Sequence, residues 1–312
     1  MAMSLTTFGT SSAIGNREDL TDVIYRISPT ATPFITMAAK SKATNIIHEW
    51  QTQDLASAAA NAAAEGADAS TKTVTATTRL KNYTQISTKS ISVSGTQQAS
   101  NPAGRKDELA YQMSLIALEL RRDMEYGATQ NSVGATSPRS TKGLPNWCVD
   151  NTSKDSGTTL ASYTANSGVG SDRTNSGTTR AFTESQLKSV LQLIFTAGGD
   201  PDTILLPAAQ KQVFSTFTGN ATRFDKSEDS KLYAAVDVYV SDFGELKAIP
   251  DRFMASRDIF VLQADKWAVA YLRPFQTFDL ATTGDAIQKQ VVVEWCVEAR
   301  APKANGAVYD IA

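Results

Sequence analysis

The clearest pattern of apolar and polar positions predicts one long helix in the first half of the chain. From residue 105 to residue 126, apolar side chains recur three or four positions apart. Gly127 follows and is expected to end the helix. At 1.5 Å per residue this helix would be about 30 Å long, which suits an element that crosses a domain. The apolar stripe consists of Leu109, Met113, Ile116, Leu120 and Met124.

The residues before this helix have a pattern that is typical of strands. Runs 46–51 and 84–93 are β-prone but contain few large apolar side chains, and an Ala-rich stretch and a Thr-rich stretch separate them. A two-stranded ribbon of this composition cannot hold itself together in water, and it exposes unpaired edges. We therefore predict a long hairpin that lies on another surface. The sequence leaves open whether that surface belongs to the same chain or to a neighbouring subunit.

The start of the chain is expected to be an arm with one short helix. Leu20, Val23 and Ile27 share one helical face there, and Pro29 and Pro33 prevent a long helix from following. Further along, residues 131–180 are rich in Gly, Ser and Thr around an apolar island at 144–149. A loop this long is uncommon in a compact domain unless it is functional or packs on a partner.

The second half of the chain predicts a small α+β or α/β sheet domain followed by further strands. Thr183 and Gln186 form a capping-box pattern at the start of a helix that ends near Gly198. The order that follows is strand, helix, strand, strand, and the last segment adds two strands with a turn near Gly284. The predicted ranges are 203–206, 208–217, 236–240, 259–262, 267–272 and 290–297.

The charge and cysteine content narrow the class of protein. Thirty basic and 32 acidic residues give a formal charge of −2 without a Lys/Arg cluster, which argues against nucleic-acid binding through phosphate contacts. Cys148 and Cys296 fit neither a metal site nor a disulfide framework, so buried free thiols are expected. The chain shows no secretory pattern and no long apolar run, and we expect a soluble protein made in the cytosol.

The sequence offers little material for catalysis. His48 is the one histidine, so the chain has few residues from which to form a Ser-His-Asp triad or a histidine metal site. We expect a structural role for His48. Glycine pairs such as Gly198-Gly199 lack the residues of a phosphate loop. We therefore predict no catalytic residue, no cofactor, no metal site and no enzyme activity. The four tryptophans are expected to be core or interface anchors.

Several short strings occur in an order that resembles one family of tailed-bacteriophage major head proteins, and together they cover nearly the whole chain. They are NREDL at 16–20, ISPTATPF at 27–34, HEWQ at 48–51, NYTQI at 82–86, GRKDELAYQ at 104–112, ELRRDME at 119–125, FGEL at 243–246, WAVAYLRPF at 267–275 and GD at 284–285. The order of predicted elements likewise resembles the Hong-Kong-97-type capsid fold.

The resemblance implies an α+β chain with the named parts of that fold: an N-arm, an extended E-loop hairpin, a P-domain with a long spine helix, and an A-domain. The expected ranges are 1–42 for the N-arm, 43–95 for the E-loop, 96–181 for the P-domain with its spine helix and loop region, 182–263 for the A-domain and 264–312 for C-terminal P-domain strands.

The function that the resemblance implies is shell building. The expected protein is a structural major capsid protein whose copies form the pentamers and hexamers of an icosahedral head, which encloses DNA without sequence-specific contact. It would be assembled in the host bacterial cytoplasm and become part of the virion, with separate scaffolding and decoration proteins as further partners and no membrane. An encapsulin-like nanocompartment shell protein and a trimeric tail or baseplate binding module are the alternatives.

The predicted subunit-interface residues lie in the arm, the hairpin and the spine helix. Trp50 and its neighbours are expected to anchor the hairpin on an adjacent subunit. The charged residues would form ion pairs between subunits, or else be ordinary exposed charges worth under about 1 kcal/mol each. Within the helix, Glu119 is spaced to pair with Arg122, and Arg121 with Glu125. The predicted interface residues are Arg17, Glu18, Asp19, Glu49, Trp50, Glu119, Arg121 and Arg122.

Overall fold

The computed structural model describes residues 28–68, 71, 74–100, 107–163, 171–217, 238–282 and 284–312. Within these ranges the chain has an α+β architecture with five α-helices and 14 strands. The short helix predicted around Leu20 lies outside the described residues. The helices are α1 (Pro33–Met37), α2 (Gly95–Ala99), α3 (Glu108–Thr129), α4 (Glu184–Thr196) and α5 (Ala208–Phe214). The strands are β1 (Ala39–Lys42), β2 (Ile47–Thr52), β3 (Thr78–Tyr83), β4 (Gln85–Ser94), β5 (Ala135–Thr136), β6 (Arg139–Ser140), β7 (Asn151–Ser153), β8 (Thr203–Leu206), β9 (Val238–Ser241), β10 (Gly244–Pro250), β11 (Ile259–Leu262), β12 (Trp267–Asp279), β13 (Ala286–Ala299) and β14 (Gly306–Val308).

The long helix is present as α3, and its C-terminal end differs from the prediction. Asp107 caps the start, accepting a hydrogen bond from the Ala110 amide at 3.1 Å. The prediction that Gly127 ends the helix is wrong, because α3 continues to Thr129. The indole of Trp295 lies against Gly127, and the residues that follow the glycine are buried in the core. Packing in this last turn therefore outweighs the preference of glycine for helix ends.

A four-stranded sheet, in the order β1-β12-β13-β4, packs against α3. Strands 267–272 and 290–297 are confirmed, and both are longer than predicted because β12 and β13 form an extended antiparallel hairpin. Trp267, Val293 and Trp295 are fully buried in the core that this sheet shares with the helix. The sheet and α3 therefore form the body to which the remaining elements attach.

The two β-prone runs that precede α3 do not pair with each other as predicted. β2 pairs with β3, so that Trp50 lies opposite Leu80, whereas β4 pairs along its full length with β13. β3 begins at the last residue of the Thr-rich run, and its Leu80 and Asn82 both turn inward and are buried. Asn82 Nδ2 donates a hydrogen bond to the Val297 carbonyl at 2.7 Å, which ties β3 to the body.

A six-stranded sheet, in the order β7-β14-β11-β8-β10-β9, forms the second layer. The predicted strands 203–206 and 259–262 are confirmed as β8 and β11, and all of their residues are buried. The capping box at the start of α4 is confirmed by the bond from the Thr183 amide to Gln186 Oε1. β10 was not predicted, and α5 ends at Phe214 rather than residue 217. β7 and β14 come from outside residues 182–263.

The described part of residues 131–180 packs on its own subunit. Residues 141–148 are all buried, and β7 joins the six-stranded sheet. Tyr309 donates its hydroxyl to the Cys148 carbonyl at 2.6 Å, which holds the apolar island against the C-terminal segment. The expected buried free thiols are confirmed for Cys148 and Cys296, and burial raises the pKa of both. The prediction of a loop did not anticipate that many polar groups of this segment form hydrogen bonds within the same subunit.

The close approach of β14 to β7 predicts that Gly306 tolerates no side chain. A Cβ added to Gly306 would lie 2.6 Å from the Asn151 carbonyl oxygen and 2.6 Å from Val190 Cγ1. We expect Gly306→Ala to lower the free energy of unfolding by about 2 kcal/mol, since overpacking a close-packed site costs 1–3 kcal/mol. Urea unfolding followed by circular dichroism measures the change.

The matched control is Gly177→Ala, where an added Cβ meets nothing within 4 Å. We expect this variant to unfold within about 0.5 kcal/mol of the wild type. Equal stability of the two variants would contradict the assigned contact between β7 and β14.

Candidate subunit interface

The most exposed part of the described chain is the tip of the β2–β3 hairpin, here defined as residues 53–77. Every described side chain of the tip is exposed. Leu55 is 94% exposed and Val74 is 85% exposed, although both are large apolar residues. The tip is therefore a candidate surface for contact with another molecule.

The base of the hairpin is fastened to its own subunit. Trp50 Nε1 donates a hydrogen bond to the Ala299 carbonyl at 2.7 Å, and its ring lies 5.3 Å from the ring of Trp147. Leu80, opposite Trp50 on β3, is 1% exposed. The predicted need for a supporting surface is therefore met at the base by the same chain.

A buried carboxylate, Glu298, gathers polar groups from three segments at this base. It accepts hydrogen bonds from Ser41 and Arg300, and His48 Nε2 lies 3.1 Å from its Oε2 atom. Burial raises the pKa of Glu298, but the hydrogen bonds with His48, Ser41 and Arg300 outweigh it and lower that pKa to about 2. The contact gives His48 a structural partner and ties β2 to the end of β13.

Of the predicted interface residues, those of the hairpin contact their own chain. Glu49 pairs with Arg79 across the hairpin at 3.6 Å, and Trp50 anchors the base as described above. Arg17, Glu18 and Asp19 lie outside the described residues. That Glu49 and Trp50 also contact a neighbouring subunit stays a prediction.

The predicted residues of the spine helix also have partners within the subunit. Glu119 lies 3.1 Å from Lys89, and Arg121 Nη2 donates to Thr36 Oγ1 at 2.9 Å. Arg122 lies over the ring of Phe253, 5.4 Å from its centroid. The predicted pairs within α3 are wrong, because these side chains reach other elements. The predicted residues thus lie on two separate elements, β2 and α3, and their interface role is untested.

Sequence reasoning missed a second exposed apolar surface at the end of the six-stranded sheet. The rings of Phe195 and Phe243 stack with centroids 4.8 Å apart, and Phe195 is 61% exposed. Val240, on the neighbouring strand β9, is 66% exposed. The FGEL string at 243–246 contained this signal, since it places a phenylalanine in a tight turn beside an edge strand.

An open cleft of about 670 Å³ lies beside the hairpin base. Its titratable groups are paired: Asp54 with Lys303, and Tyr163 with Asp150. Burial and the bond to Asp150 raise the pKa of Tyr163, so its hydroxyl is a poor acid. The described residues contain no group of three or more His, Cys, Asp or Glu side chains that could hold a metal ion. In the same ranges, no helix is both long and apolar enough to cross a membrane.

Comparisons with known proteins agree on one class. A family model described as SU10 major capsid protein matches residues 4–312. The major capsid protein of Escherichia phage Phieco32 is 26% identical over 340 residues, covering 96% of this chain and 95% of that protein. Among solved structures, the capsid of cyanophage A-1(L) matches with a TM-score of 0.70 at 12% identity, covering 97% of this chain and 98% of that one. The capsid of a native GTA particle matches with a TM-score of 0.64 at 11% identity, covering 96% of each chain.

The Glu298 cluster predicts how acid weakens the subunit. Because the folded state lowers the pKa of Glu298 from 4.5 to about 2, the carboxylate stabilises the fold above about pH 4.5. That stability is lost as the pH falls through about 2. We expect Glu298→Gln to cost on the order of 2 kcal/mol at pH 7, and we expect the cost to shrink below pH 4.5. Urea unfolding at pH values from 7 to 3 measures it.

Glu65→Gln is the matched control, because Glu65 is an exposed carboxylate of the tip. It should leave the stability unchanged at every pH. A cost for Glu298→Gln that stays constant from pH 7 to pH 3 would show that the charge of Glu298 contributes nothing.

Proposed function

The chain belongs to the SU10 major capsid protein family, and we propose that its copies assemble as pentamers and hexamers into the icosahedral head of a tailed bacteriophage. Its fold is the Hong-Kong-97-type capsid fold that the sequence predicted. The observation that carries the proposal is the family match, which extends over residues 4–312. As a capsid protein, the chain is part of the virion.

Ring formation needs two different surfaces on each copy. In a closed ring every subunit uses one patch to contact the next and a second patch to receive the previous one. The tip supplies the projecting patch, because its described side chains are all exposed and include Leu55 and Val74. Its base is held by Trp50, so the tip can reach a neighbour while its own subunit stays intact.

The receiving patch that we propose is the face of the four-stranded sheet turned away from α3. Lys89 of β4 contacts Glu119 of α3, so the alternate residues of β4 point to the opposite side. Ile86 and Phe278 on that side are 42% and 43% exposed, and Ser90 faces the same way. Exposed apolar side chains are typical of the centre of an interface. The ion pairs of Glu294 with Arg139 and Arg273 lie beside them on the same face.

The remaining partners are proposed from the charge of the chain and from its free thiols. DNA is enclosed by the shell without sequence-specific contact, which the formal charge of −2 supports. Scaffolding and decoration proteins are separate chains, and assembly occurs in the host bacterial cytoplasm, where the free thiols of Cys148 and Cys296 would stay reduced. The proposed role is structural, without catalysis. The family match favours a capsid protein over the encapsulin-like shell and the trimeric binding module.

Negative-stain electron microscopy of the chain, expressed alone and purified by size exclusion, tests the assembly. Closed shells, tubes, or rings of five and six copies are expected. If the chain stays monomeric, the test is repeated with the scaffolding protein of the same phage. A stable trimer that forms no shell with the scaffold would contradict the proposal.

Because the tip is exposed, we expect that it can be removed without unfolding the subunit, and that its removal prevents assembly. We expect a variant in which residues 55–74 are replaced by a two-residue turn to melt within a few degrees of the wild type, because no described residue of that stretch is buried. The same variant should form no shells, since the projecting contact is gone. Melting temperature and particle counts by electron microscopy give the two readouts.

The matched control replaces the same residues with a Gly-Ser sequence of the same length as the native tip. This control keeps the length of the tip but removes its native side chains. If neither variant forms shells, the contact depends on those side chains. Normal particles from the shortened variant would refute the role of the tip.

A further inference from the structure

Three aromatic rings form a continuous row that begins at the base of the hairpin and ends at the open cleft. The ring centroids of Trp50 and Trp147 are 5.3 Å apart, and those of Trp147 and Tyr163 are 6.0 Å apart. The planes of Trp147 and Tyr163 are inclined by 29°, which is an offset-stacked arrangement. Tyr163 lines the cleft. The row therefore connects a buried tryptophan with the solvent.

The middle ring, Trp147, has an indole N–H that no described residue accepts. Trp147 is 1% exposed, and its Nε1 atom is buried without a hydrogen-bond partner. The other three tryptophans all donate this N–H, to Ala299, Asn305 and Ser87. A buried polar group without a partner is uncommon in a native fold, and one reason for keeping it is redox chemistry. An indole that loses an electron becomes acidic at this N–H, and without an acceptor it retains its proton.

The outer ring, Tyr163, is arranged to lose an electron and a proton together. Its hydroxyl donates a hydrogen bond to Asp150 Oδ2. Burial and the contact with Asp150 raise the pKa of Tyr163, so the phenol is protonated at neutral pH. When an electron leaves the phenol, its proton can move along the existing bond to the carboxylate. Asp150 is exposed and passes the proton on to water.

We propose that Trp50, Trp147 and Tyr163 form an oxidation relay, which carries a one-electron oxidation from the two tryptophans to Tyr163 at the cleft. The base of the hairpin depends on both tryptophans, since Trp50 binds Ala299 and packs on Trp147. Oxidation that opens either indole ring would remove this contact. The relay therefore protects the attachment of the tip, and it operates in the subunit whether or not shells form.

The chemistry begins with ultraviolet light that tryptophan absorbs. The excited indole of Trp147 loses one electron to dissolved oxygen, which becomes superoxide, and an indole radical cation remains. This cation keeps its proton and takes one electron from Tyr163, whose phenolic proton goes to Asp150. Trp147 is thereby restored, and a neutral tyrosyl radical remains at the cleft. An oxidised Trp50 takes its electron from Trp147 and enters the same sequence.

The relay is reset from the solvent. A dissolved thiol donates a hydrogen atom to the tyrosyl oxygen of Tyr163 and becomes a thiyl radical. Asp150 releases the proton it received to water. Each cycle therefore consumes one thiol and one oxygen molecule and leaves all three rings unchanged.

Trp267 provides a matched reference within the same molecule. It is 0% exposed, so it is as enclosed as Trp147. The ring that packs against it is Phe34, with centroids 5.8 Å apart. Phenylalanine is not oxidised by an indole radical, so Phe34 cannot return an electron to Trp267. Trp267 therefore reports the oxidation of a buried tryptophan that has no relay.

Peptide mass spectrometry of the illuminated full-length subunit tests the relay. The subunit is irradiated in aerated buffer that contains a thiol, and ring-opened products are quantified at each tryptophan. In the wild type, we expect Trp50 and Trp147 to be oxidised several-fold less than Trp267. Tyr163→Phe keeps the ring and removes the phenol, so it should raise oxidation at Trp147 to the level of Trp267.

Two further variants separate electron transfer from packing. Asp150→Asn keeps a hydrogen-bond acceptor for Tyr163 but cannot take up its proton, so oxidation at Trp147 should rise as it does in Tyr163→Phe. Tyr126→Phe removes a phenol that is 56% exposed and lies outside the row, and it should behave as the wild type. Flash photolysis gives a second readout. The absorption of the tryptophan radical should decay in the wild type as tyrosyl absorption appears, and it should persist when the phenol or the carboxylate is removed.

Either of two results would overturn the relay. One is oxidation at Trp147 that is the same in the wild type and in Tyr163→Phe. The other is a wild-type tryptophan radical that decays without any tyrosyl absorption, a result that decides the question even if the variants fail to fold. The measurements use the isolated subunit, so the failure of the relay and the failure of shell assembly are distinguishable.

Discussion

The contact between α3 and the four-stranded sheet is the constraint on which the rest of the subunit depends. Trp295 of β13 lies against Gly127 of the helix and donates its Nε1 to Ser87 of β4 at 3.0 Å, so one side chain joins three elements. The sheet has β1 as one edge strand, and the base of the hairpin is fastened to the end of β13. Because β4 is fixed to this body along its full length, it does not pair with β2, and two runs that look like partners in the sequence are separated in the fold.

Buried polar groups determine how these elements are placed. Glu294 is 3% exposed and binds Arg139 at 2.7 Å and Arg273 at 2.9 Å, which joins the β5–β6 hairpin, β12 and β13. Asp258 and Arg173 form a fully buried pair at 2.8 Å that fixes the loop region against β11. Such pairs add little net stability, but removing one partner leaves a buried charge without compensation. Removing either partner is therefore expected to destabilise the subunit by more than the intact pair stabilises it.

Regular periodicity predicted the elements whose stability comes from one apolar face. The helices α3 and α4 were visible in this way. The strands β8 and β11 were visible instead as short apolar runs, and all of their residues are buried. The sequence did not reveal β3 or the packing of residues 141–148, where Asn82 and Lys142 are buried by specific hydrogen bonds. It also missed the contact of Glu125 with the Phe34 and Ile35 amides, since residues 91 and 90 positions apart in the sequence give no local signal. Predicted pairs within α3 failed for a related reason: tertiary partners competed with neighbours along the helix.

The burial of both thiols has a practical consequence for chemical labelling. Cys148 and Cys296 are the two cysteines of the chain, both are buried, and burial keeps both in the unreactive thiol form. A maleimide reagent should therefore leave the folded native chain unmodified. One new cysteine introduced in place of Leu55, which is 94% exposed, would then react alone. Fluorophores or peptides could be attached at that single defined position, with no need to remove the native cysteines first.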